Sequence, residues 1–380
     1  MRLAFALYKY FPFGGLARDF MRIADVCLAK GHTIDVFVMQ WEGPAQANYQ
    51  VHVIDCKGWS NHAKVADFHR QLAGRVQNER YDALIGFNKM PSLDVYYAAD
   101  PCYADRFKNK GFAHQFNPRY RFYAAAEASV FGTTAKTLCL MISDTQMGLF
   151  QQHYDTPPQR LLLLPPGIDP DRRKPDDAAE KRAAFRQAHG LTEEDQLILM
   201  VGTGFKTKGV DRGMLALASL PQEVLAKTHL MVLGEDDLAA YKRQANKLGV
   251  AKHCHFMGGR SDVPDFLLGA DVLLHPARKE NTGTVILEAM VAGLPMLVTA
   301  ICGYAKHVTQ SMAGRVIASP FQQQHLNKSL AEMLLHDKKT WSEHALAYAS
   351  SEDLYSMPEK AAEAIERVAR EKNHAVWSSR

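Results

Sequence analysis

The sequence predicts an α/β protein made of two Rossmann-like domains in tandem. Short apolar runs alternate with amphipathic helical segments, and strands that alternate with helices form right-handed βαβ units with a parallel sheet. The alternation pauses in a stretch rich in proline and charge, residues 165–182, and then starts again. The length of 380 residues also exceeds what one hydrophobic core usually serves.

The predicted domains follow from this pause. An N-terminal Rossmann-like domain spans residues 1–165, a second spans 166–350, and 351–380 form a helix that returns to the first domain and ends in a loose tail at 373–380. The candidate strands of the first domain are LAFALY, TIDVFVM, VHVID, DALIGF, TLCLMIS and RLLLLPP, and those of the second are QLILMVG, HLMVLG, HCHFMG, DVLLHP, PMLVTA and GRVIA. Because ligands of open parallel sheets bind at the carboxyl ends of the strands, we expect the two domains to face each other across a cleft.

The composition indicates a protein of the reduced cytoplasm. Hydrophobic residues make up 47% and charged residues 23%, and a net charge of +4 is too small to indicate nucleic-acid binding by itself. The six cysteines are scattered and form no CxxC pair. No apolar run reaches membrane-spanning length, and the N-terminus lacks a signal peptide. The HCH triplet at 253–255 lacks third and fourth ligands, so we expect a strand there and no metal site.

Two adjacent glycines, Gly14 and Gly15, stand where the first strand gives way to the first helix. One explanation is a tight turn, since glycine tolerates backbone angles that other residues avoid. The other is close approach, because N–H groups without side chains around them can lie against a phosphate or sugar at a helix start. The glycines alone leave both explanations open.

The segment HPARKENTGTVILEAMVAGLPMLVTA, residues 275–300, carries the strongest signal for a ligand. It leaves a strand, crosses a polar loop that contains Glu280 and enters a helix that contains Glu288. The free N–H groups of the helix start suit a diphosphate. A carboxylate before them can accept hydrogen bonds from a sugar, and one further along can reach a ribose. The alternative is a capped amphipathic helix with a surface glutamate.

Cations suited to phosphate occur in two other places. Lys206 and Lys208 lie in the loop VGTGFKTKGVDR, where a lysine can stabilise a leaving diphosphate. Arg172 lies in the proline-rich linker, and a guanidinium group suits bidentate contacts to phosphate. Solvated side chains in a loop and a hinge are the alternatives.

Together, the E-x7-E pattern of KENTGTVILEAMVAGLPML, the VG…KGVD loop, the PPGI linker and the early GG resemble retaining glycosyltransferases of family 4, which have the GT-B fold. LYKYFPFGGLARDFMRIA, GFNKMPSLDVYYAAD and LPPGIDPDR resemble in particular members that assemble the lipopolysaccharide core. The resemblance extends over almost the whole chain. It implies a hexosyltransferase that moves glucose from UDP-glucose to the inner-core heptose, with no metal or other cofactor.

The resemblance also implies roles for individual residues. Glu280, Lys208 and Asp19 would be the catalytic residues, and Asp100 a candidate on the acceptor side. The implied donor-binding residues are Gly14, Gly15, Arg172, Lys206, Lys208, His275, Glu280, Asn281, Thr282, Gly283, Thr284, Val285 and Glu288.

The chain departs from the family at the diphosphate. Many members have an arginine directly after the VG glycine or just before the KG lysine, where this chain has Thr203 and Thr207. The cation that assists Lys208 is therefore open, and Lys206 is the candidate.

Residues 103–132 interleave aromatic side chains with cations and predict a membrane-facing segment. The cations are Arg106, Lys108, Lys110, Arg119 and Arg121. RNA binding and a pair of helices packed on their own domain are the alternatives. The lipid-linked acceptor that the resemblance implies favours the anionic cytoplasmic face of the inner membrane of a Gram-negative bacterium, without nucleic acid as a partner.

Three other functions remain open on the sequence alone. A GT-B-like UDP-sugar 2-epimerase would share the architecture but would need no acceptor. A family 4 transferase could use another lipid-linked acceptor. A non-catalytic binding protein could be built on the same fold.

Overall fold

The computed structural model describes residues 1–12, 14–44, 48–108 and 111–378. Its internal contacts divide the chain into two compact units. Unit 1 comprises Met1–Gly167 and Ser356–Arg380, and unit 2 comprises Ile168–Tyr355. Each unit contains one parallel sheet, which confirms the predicted α/β class.

The strands of unit 1 are β1 Arg2–Tyr10, β2 Thr33–Trp41, β3 Gln50–Val53, β4 Ala83–Gly86, β5 Val95–Ala98, β6 Leu138–Met141 and β7 Leu161–Leu163. Those of unit 2 are β8 Gln196–Val201, β9 Thr228–Leu233, β10 Cys254–Gly258, β11 Val272–His275, β12 Met296–Thr299 and β13 Gly314–Ile317. The sheet orders are β3-β2-β1-β4-β5-β6-β7 and β10-β9-β8-β11-β12-β13.

The helices follow the strands in alternation. They are α1 Gly15–Ala29, α2 Asn61–Asn78, α3 Pro118–Phe131, α4 Asp144–Tyr154, α5 Ala178–Ala188, α6 Phe205–Lys208, α7 Val210–Ala218, α8 Gln222–Leu225, α9 Leu238–Lys247, α10 Val263–Gly269, α11 Thr284–Val291, α12 Ala305–Ser311, α13 Gln323–Leu335, α14 Lys339–Ser351 and α15 Met357–Ser378. Short 3-10 turns include Asp105–Phe107, Phe112–Phe116 and Pro170–Arg172.

Both faces of each sheet are buried, as expected of parallel strands covered by helices. In β1, Phe5 contributes to one hydrophobic cluster and its neighbour Ala6 to another. In β8, Leu199 and Met200 divide between two clusters in the same way. This burial explains why the strands appear in the sequence as nearly continuous apolar runs.

Two parts of the chain differ from the sequence-based expectation. Strand β5 follows β4 after only eight residues, 87–94, and was not among the predicted strands. The loose tail predicted for 373–380 is wrong for 373–378, because α15 continues to Ser378. The apolar side of α15 packs in the same cluster as α1 within unit 1, and this contact supports the helix.

Candidate functional site

The strand order of unit 2 brings two loops together. The sheet reverses its order between β8 and β11, which are neighbours in the centre of the sheet. Ligands of open parallel sheets bind at such a reversal, outside the carboxyl ends of the strands. The loop after β8 leads to Lys208 at the end of α6, and the loop after β11 contains Glu280. The topology therefore places these residues at one edge.

Glu280 is the centre of a small polar cluster. Its carboxylate forms an ion pair with the ammonium group of Lys208. The ring of His275, at the end of β11, has its Nε2 3.1 Å from Oε2 of the same carboxylate. An ionised carboxylate only accepts hydrogen bonds, so this Nε2 carries the proton. The other ring nitrogen, Nδ1, is then an acceptor, and it is buried with no partner within the described ranges.

The cluster keeps Glu280 ionised. Burial by itself would raise the pKa of this carboxyl group, but the hydrogen bond from His275 and the charge of Lys208 lower it to about 2. A carboxylate that is ionised and partly shielded from water is a strong acceptor for sugar hydroxyl groups.

The two loops are held against each other by close backbone contact. Gly209 has φ +78°, and a Cβ atom there would lie 2.1 Å from the carbonyl oxygen of Pro276. Arg212 also donates to the carbonyl oxygen of Ala277 at 3.0 Å. Arg278 forms two hydrogen bonds with the carboxylate of Asp211. These contacts determine where Lys208 and Glu280 meet.

Lys206 has a different partner from Lys208. Its ammonium group lies 2.8 Å from the Asp211 carboxylate, and most of its side chain is exposed. Asp211 already binds Arg278, so Lys206 completes a surface network beside the loop. Binding of the diphosphate by Lys206 stays a prediction, and it would require Lys206 to leave this carboxylate.

Helix α11 begins beside the cluster without a capping side chain. Gly283, with φ +84°, precedes Thr284, so the first N–H groups of the helix lack a side-chain acceptor from the N-cap residue. The backbone from Asn281 to Val285 runs directly after Glu280. The sequence-predicted donor residues of this loop therefore follow Glu280 without a break, and Thr282, Gly283 and Val285 among them are buried.

Glu288 is not a surface residue. Every residue of α11 from Val285 to Val291 is buried, and only 5% of Glu288 is exposed. The alternative of an amphipathic helix with a surface glutamate is therefore wrong. Its carboxylate faces Arg172, whose Nε lies 4.0 Å away. Nε and Nη1 of Arg172 are buried and have no hydrogen-bond partner in the part of the chain that the structure describes.

The sequence did not predict that Arg172 and Glu288 meet. They lie more than a hundred positions apart in the chain, in the 3-10 turn Pro170–Arg172 and in α11. Buried polar groups usually have hydrogen-bond partners. The Nε of Arg172 lies 3.4 Å from an oxygen of Asp171 and 4.0 Å from one of Glu288 without forming a hydrogen bond, which suits a site for an anionic or hydroxyl-rich ligand.

The paired glycines of unit 1 do not need to be glycine for conformational reasons. Gly14 has φ −82°, within the range of other residues, and precedes α1 as its N-cap. A Cβ on Gly14 would meet the ring of Phe11 at 2.7 Å, whereas one on Gly15 would meet nothing within 4 Å. Gly15 is exposed at the helix start, an arrangement that favours close approach over a strained turn. Its contact with a donor stays a prediction.

Asp19 and Asp100 also lie in unit 1. Asp19 is one turn into α1, and its Oδ2 accepts a hydrogen bond from the Tyr97 hydroxyl at 2.8 Å. Asp100 follows β5 and lines a cavity of about 440 Å³. Burial raises the pKa of Asp100, and the charge of Lys89 partly opposes the shift. The catalytic role of Asp19 and the acceptor role of Asp100 stay predictions.

The predicted membrane-facing segment contains exposed cations and exposed apolar surface. Arg106, Lys108, Arg119 and Arg121 are exposed, whereas Lys110 lies outside the described residues. Phe116 exposes 72% of its surface.

The sequence analysis did not identify Glu127 of α3, which is fully buried. Its carboxylate forms an ion pair with Lys89 and accepts hydrogen bonds from the backbone N–H groups of Tyr103 and Ala104. It also accepts one from the Tyr154 hydroxyl. A glutamate in a helix of this composition gives no sequence signal of such a role, since its partners come from three other places in the chain.

Residues 181–349 match the model of the glycosyl transferases group 1 family. The chain is also 45% identical over 368 residues to the lipopolysaccharide glucosyltransferase WaaG of Escherichia coli K12, covering 96% of this chain and 98% of that relative. The chain belongs to the group 1 glycosyl transferases. Membership makes the protein a transferase and decides against an epimerase and against a non-catalytic binding protein.

Other comparisons bear on the fold of this glycosyltransferase. A crystal structure of WaaG covers 96% of this chain and 99% of its own, with a TM-score of 0.91. The structure of HepE of Anabaena in complex with UDP-glucose matches 97% of this chain and 100% of its own. Its TM-score is 0.76 at 18% sequence identity. They confirm the predicted GT-B fold. A mannosyltransferase of Mycobacterium tuberculosis that is dependent on GDP-mannose is 32% identical over 170 residues, 42% of this chain and 43% of that relative.

Two further observations concern the described residues of this glycosyltransferase. No three or more of their His, Cys, Asp and Glu side chains are grouped so as to hold a metal ion. None of their helices combines the length and the apolar character that a bilayer span requires.

Proposed function

We propose that the protein is a retaining glucosyltransferase that transfers glucose from UDP-glucose to the inner-core heptose of lipopolysaccharide. The observation that carries this proposal is the cluster of Lys208, Glu280 and His275 beside the uncapped start of α11, in a chain related over almost its whole length to a lipopolysaccharide glucosyltransferase. The cluster combines an acceptor for sugar hydroxyls, a cation for a diphosphate and free N–H groups for its oxygens.

The proposed mechanism assigns one task to each part of the site. The ionised Glu280 and the free Nδ1 of His275 accept hydrogen bonds from hydroxyls of the donor glucose. Lys208, now paired with Glu280, shares its charge with the diphosphate, helped by the N–H groups of Gly283 to Val285. Glu288 accepts from the ribose hydroxyls, and Arg172 keeps its carboxylate in place.

The bond between the anomeric carbon and the UDP oxygen breaks, and the acceptor oxygen bonds to the same carbon on the same face. The acceptor proton passes to the departing phosphate oxygen, so this route needs no protein base. Positioning and charge stabilisation are then the protein's contributions to the rate. The roles of Asp19, Gly14 and Gly15 in donor binding stay predictions of the family resemblance.

The decisive experiment incubates the protein with UDP-glucose and lipopolysaccharide truncated after the inner-core heptose, and then weighs the product. We expect the acceptor to gain one hexose and the linkage to be α, as in the donor. UDP-galactose and GDP-mannose in parallel reactions test the donor, since relatives use more than one nucleotide sugar. A product of inverted configuration, or none with UDP-glucose while another donor reacts, would overturn the proposal.

We also propose that the protein acts on the cytoplasmic face of the inner membrane as a peripheral protein. The exposed cations of residues 103–132 and the exposed Phe116 support attachment to anionic lipid. Trp59 is fully exposed and lies three positions before His62, whose ring is 6.3 Å from that of Phe122 in the same segment. A tryptophan in this position suits the interface between lipid and water.

Binding to vesicles tests this attachment. Each basic residue near an anionic surface contributes about 1 kcal/mol, so the double variant R119Q/R121Q should bind vesicles of phosphatidylglycerol and phosphatidylethanolamine about thirty-fold more weakly. The variant R75Q/R80Q removes the same charge from α2 and the turn that follows it, and should bind like the wild type. If R119Q/R121Q and the wild type bind the vesicles equally, these arginines do not attach the protein to the membrane. If the protein retains RNA instead of binding vesicles, the result would favour nucleic acid as the partner of this segment.

A further inference from the structure

The cavity of about 440 Å³ in unit 1 is not part of the donor cluster. Aromatic rings form much of its wall: the rings of Tyr120 and Tyr123 each lie 5.8 Å from that of Tyr103. Flat aromatic surfaces of this kind pack against the C–H faces of sugar rings. The cavity therefore has a wall suited to a saccharide.

Two arginines of the same wall have unused charge. Arg106 lies 5.9 Å from the centre of the Tyr103 ring and Arg119 lies 6.0 Å from that of Tyr123. No carboxylate of the described residues lies within ion-pairing distance of either guanidinium group, although Asp100 lines the same cavity and interacts electrostatically with Arg106. Guanidinium groups bind phosphate through paired hydrogen bonds. These two cations are therefore available to an anionic ligand.

The wall is built before any ligand arrives. The carboxylate of Glu127 accepts from the N–H of Tyr103 at 2.7 Å and from the N–H of Ala104 at 2.9 Å. The same carboxylate pairs with Lys89, another residue of the cavity. Glu127 is fully buried in α3, the helix that also contains Tyr123. Its hydrogen bonds therefore hold the backbone at Tyr103 and Ala104, just before Arg106, against this helix. A wall ordered in advance lowers the entropic cost of binding.

We propose that this cavity binds a phosphorylated saccharide, with the sugar ring against the tyrosines and the phosphate between Arg106 and Arg119. The inference rests on the proposed function, because the ligand would be the phosphorylated part of the glycolipid acceptor. It also divides the cations of residues 103–132: Arg106 and Arg119 line the cavity, whereas Lys108 and Arg121 do not.

The test measures binding of glucose 6-phosphate to the full chain by titration calorimetry, with saturating UDP present to occupy the donor site. Glucose and inorganic phosphate are the probes for each half of the ligand, and glycerol 3-phosphate represents a lipid headgroup. We expect glucose 6-phosphate to bind most tightly, and R106Q/R119Q to weaken its binding about tenfold or more. R75Q/R80Q, with the same loss of charge in unit 1, should bind like the wild type.

The outcomes separate the inference from the proposed function. If R106Q/R119Q binds glucose 6-phosphate as tightly as the wild type does, the inference is overturned. If glycerol 3-phosphate binds as tightly as glucose 6-phosphate, the inference is also overturned, and the arginines are assigned to lipid headgroups. If UDP-glucose is not turned over but the arginine-dependent binding persists, the proposed function fails and the site stands. R106K/R119K should restore part of the affinity, since charge remains while the paired geometry is lost.

Discussion

Replacing Glu280 by glutamine removes the negative charge at the centre of the donor cluster and keeps the size of the side chain. Lys208 then loses its ion-pair partner, and His275 donates to a neutral amide oxygen. Both consequences act inside unit 2, so we expect the variant to lose stability and activity together.

The size of the effect follows from the pKa. A carboxyl group whose pKa falls from 4.5 to about 2 favours its ionised form by roughly 3 kcal/mol more in the folded chain than in the unfolded one. Because this pKa is lowered by folding, the stabilisation is fully present above pH 4.5 and is lost as the pH falls from 4.5 towards 2. E280Q should therefore be less stable than the wild type by up to about 3 kcal/mol at neutral pH, and the difference should shrink below pH 4.5.

Urea unfolding between pH 7 and pH 3 measures the stability, and UDP release with UDP-glucose and the acceptor measures kcat/KM. Loss of charge-assisted hydrogen bonds to the sugar should lower kcat/KM by about a hundred-fold. E194Q is the matched control, since it breaks a solvent-exposed pair with Lys227 in the same unit and should change neither quantity. A gap between E280Q and the wild type that stays constant with pH, or an unchanged kcat/KM, would refute the reasoning.

Two further predictions test the packing of the loop and the residue in unit 1. G209A should destabilise the chain by about 3 kcal/mol or more, because its Cβ would lie 2.1 Å from the carbonyl oxygen of Pro276. G249A is the control, because Gly249 has a similar positive φ but its added Cβ would meet nothing within 4 Å. It should lower the free energy of unfolding in urea by less than G209A does, and equal losses would attribute the effect of G209A to φ alone. D19N keeps an acceptor for the Tyr97 hydroxyl and removes the negative charge, so it should lower kcat about tenfold or more. Unchanged turnover would remove Asp19 from the catalytic residues.

The features that the sequence predicted correctly are local. The six strands of unit 2 coincide with the predicted runs. The four central strands, β8, β9, β11 and β12, are apolar at nearly every position because both of their faces are covered. The loop that contains Glu280 and the start of α11 follow from residue types and spacing within one short segment. Strand β5 was missed although Val95–Ala98 are all buried. The extent of α15 was missed because its packing partners, such as α1, are distant in the sequence.

What the sequence by itself determined is most of the strands and helices, the group 1 family motifs and the chemical types of the donor-site residues, since each depends on neighbours along the chain. Only the tertiary structure decided the pairing of Arg172 with Glu288, the engagement of Lys206 by Asp211 and the buried anchor at Glu127. Each of these contacts joins positions brought together by strand order and helix packing. An ion pair requires its two groups to be close in space, and the separation of two residues along the sequence does not show whether they are.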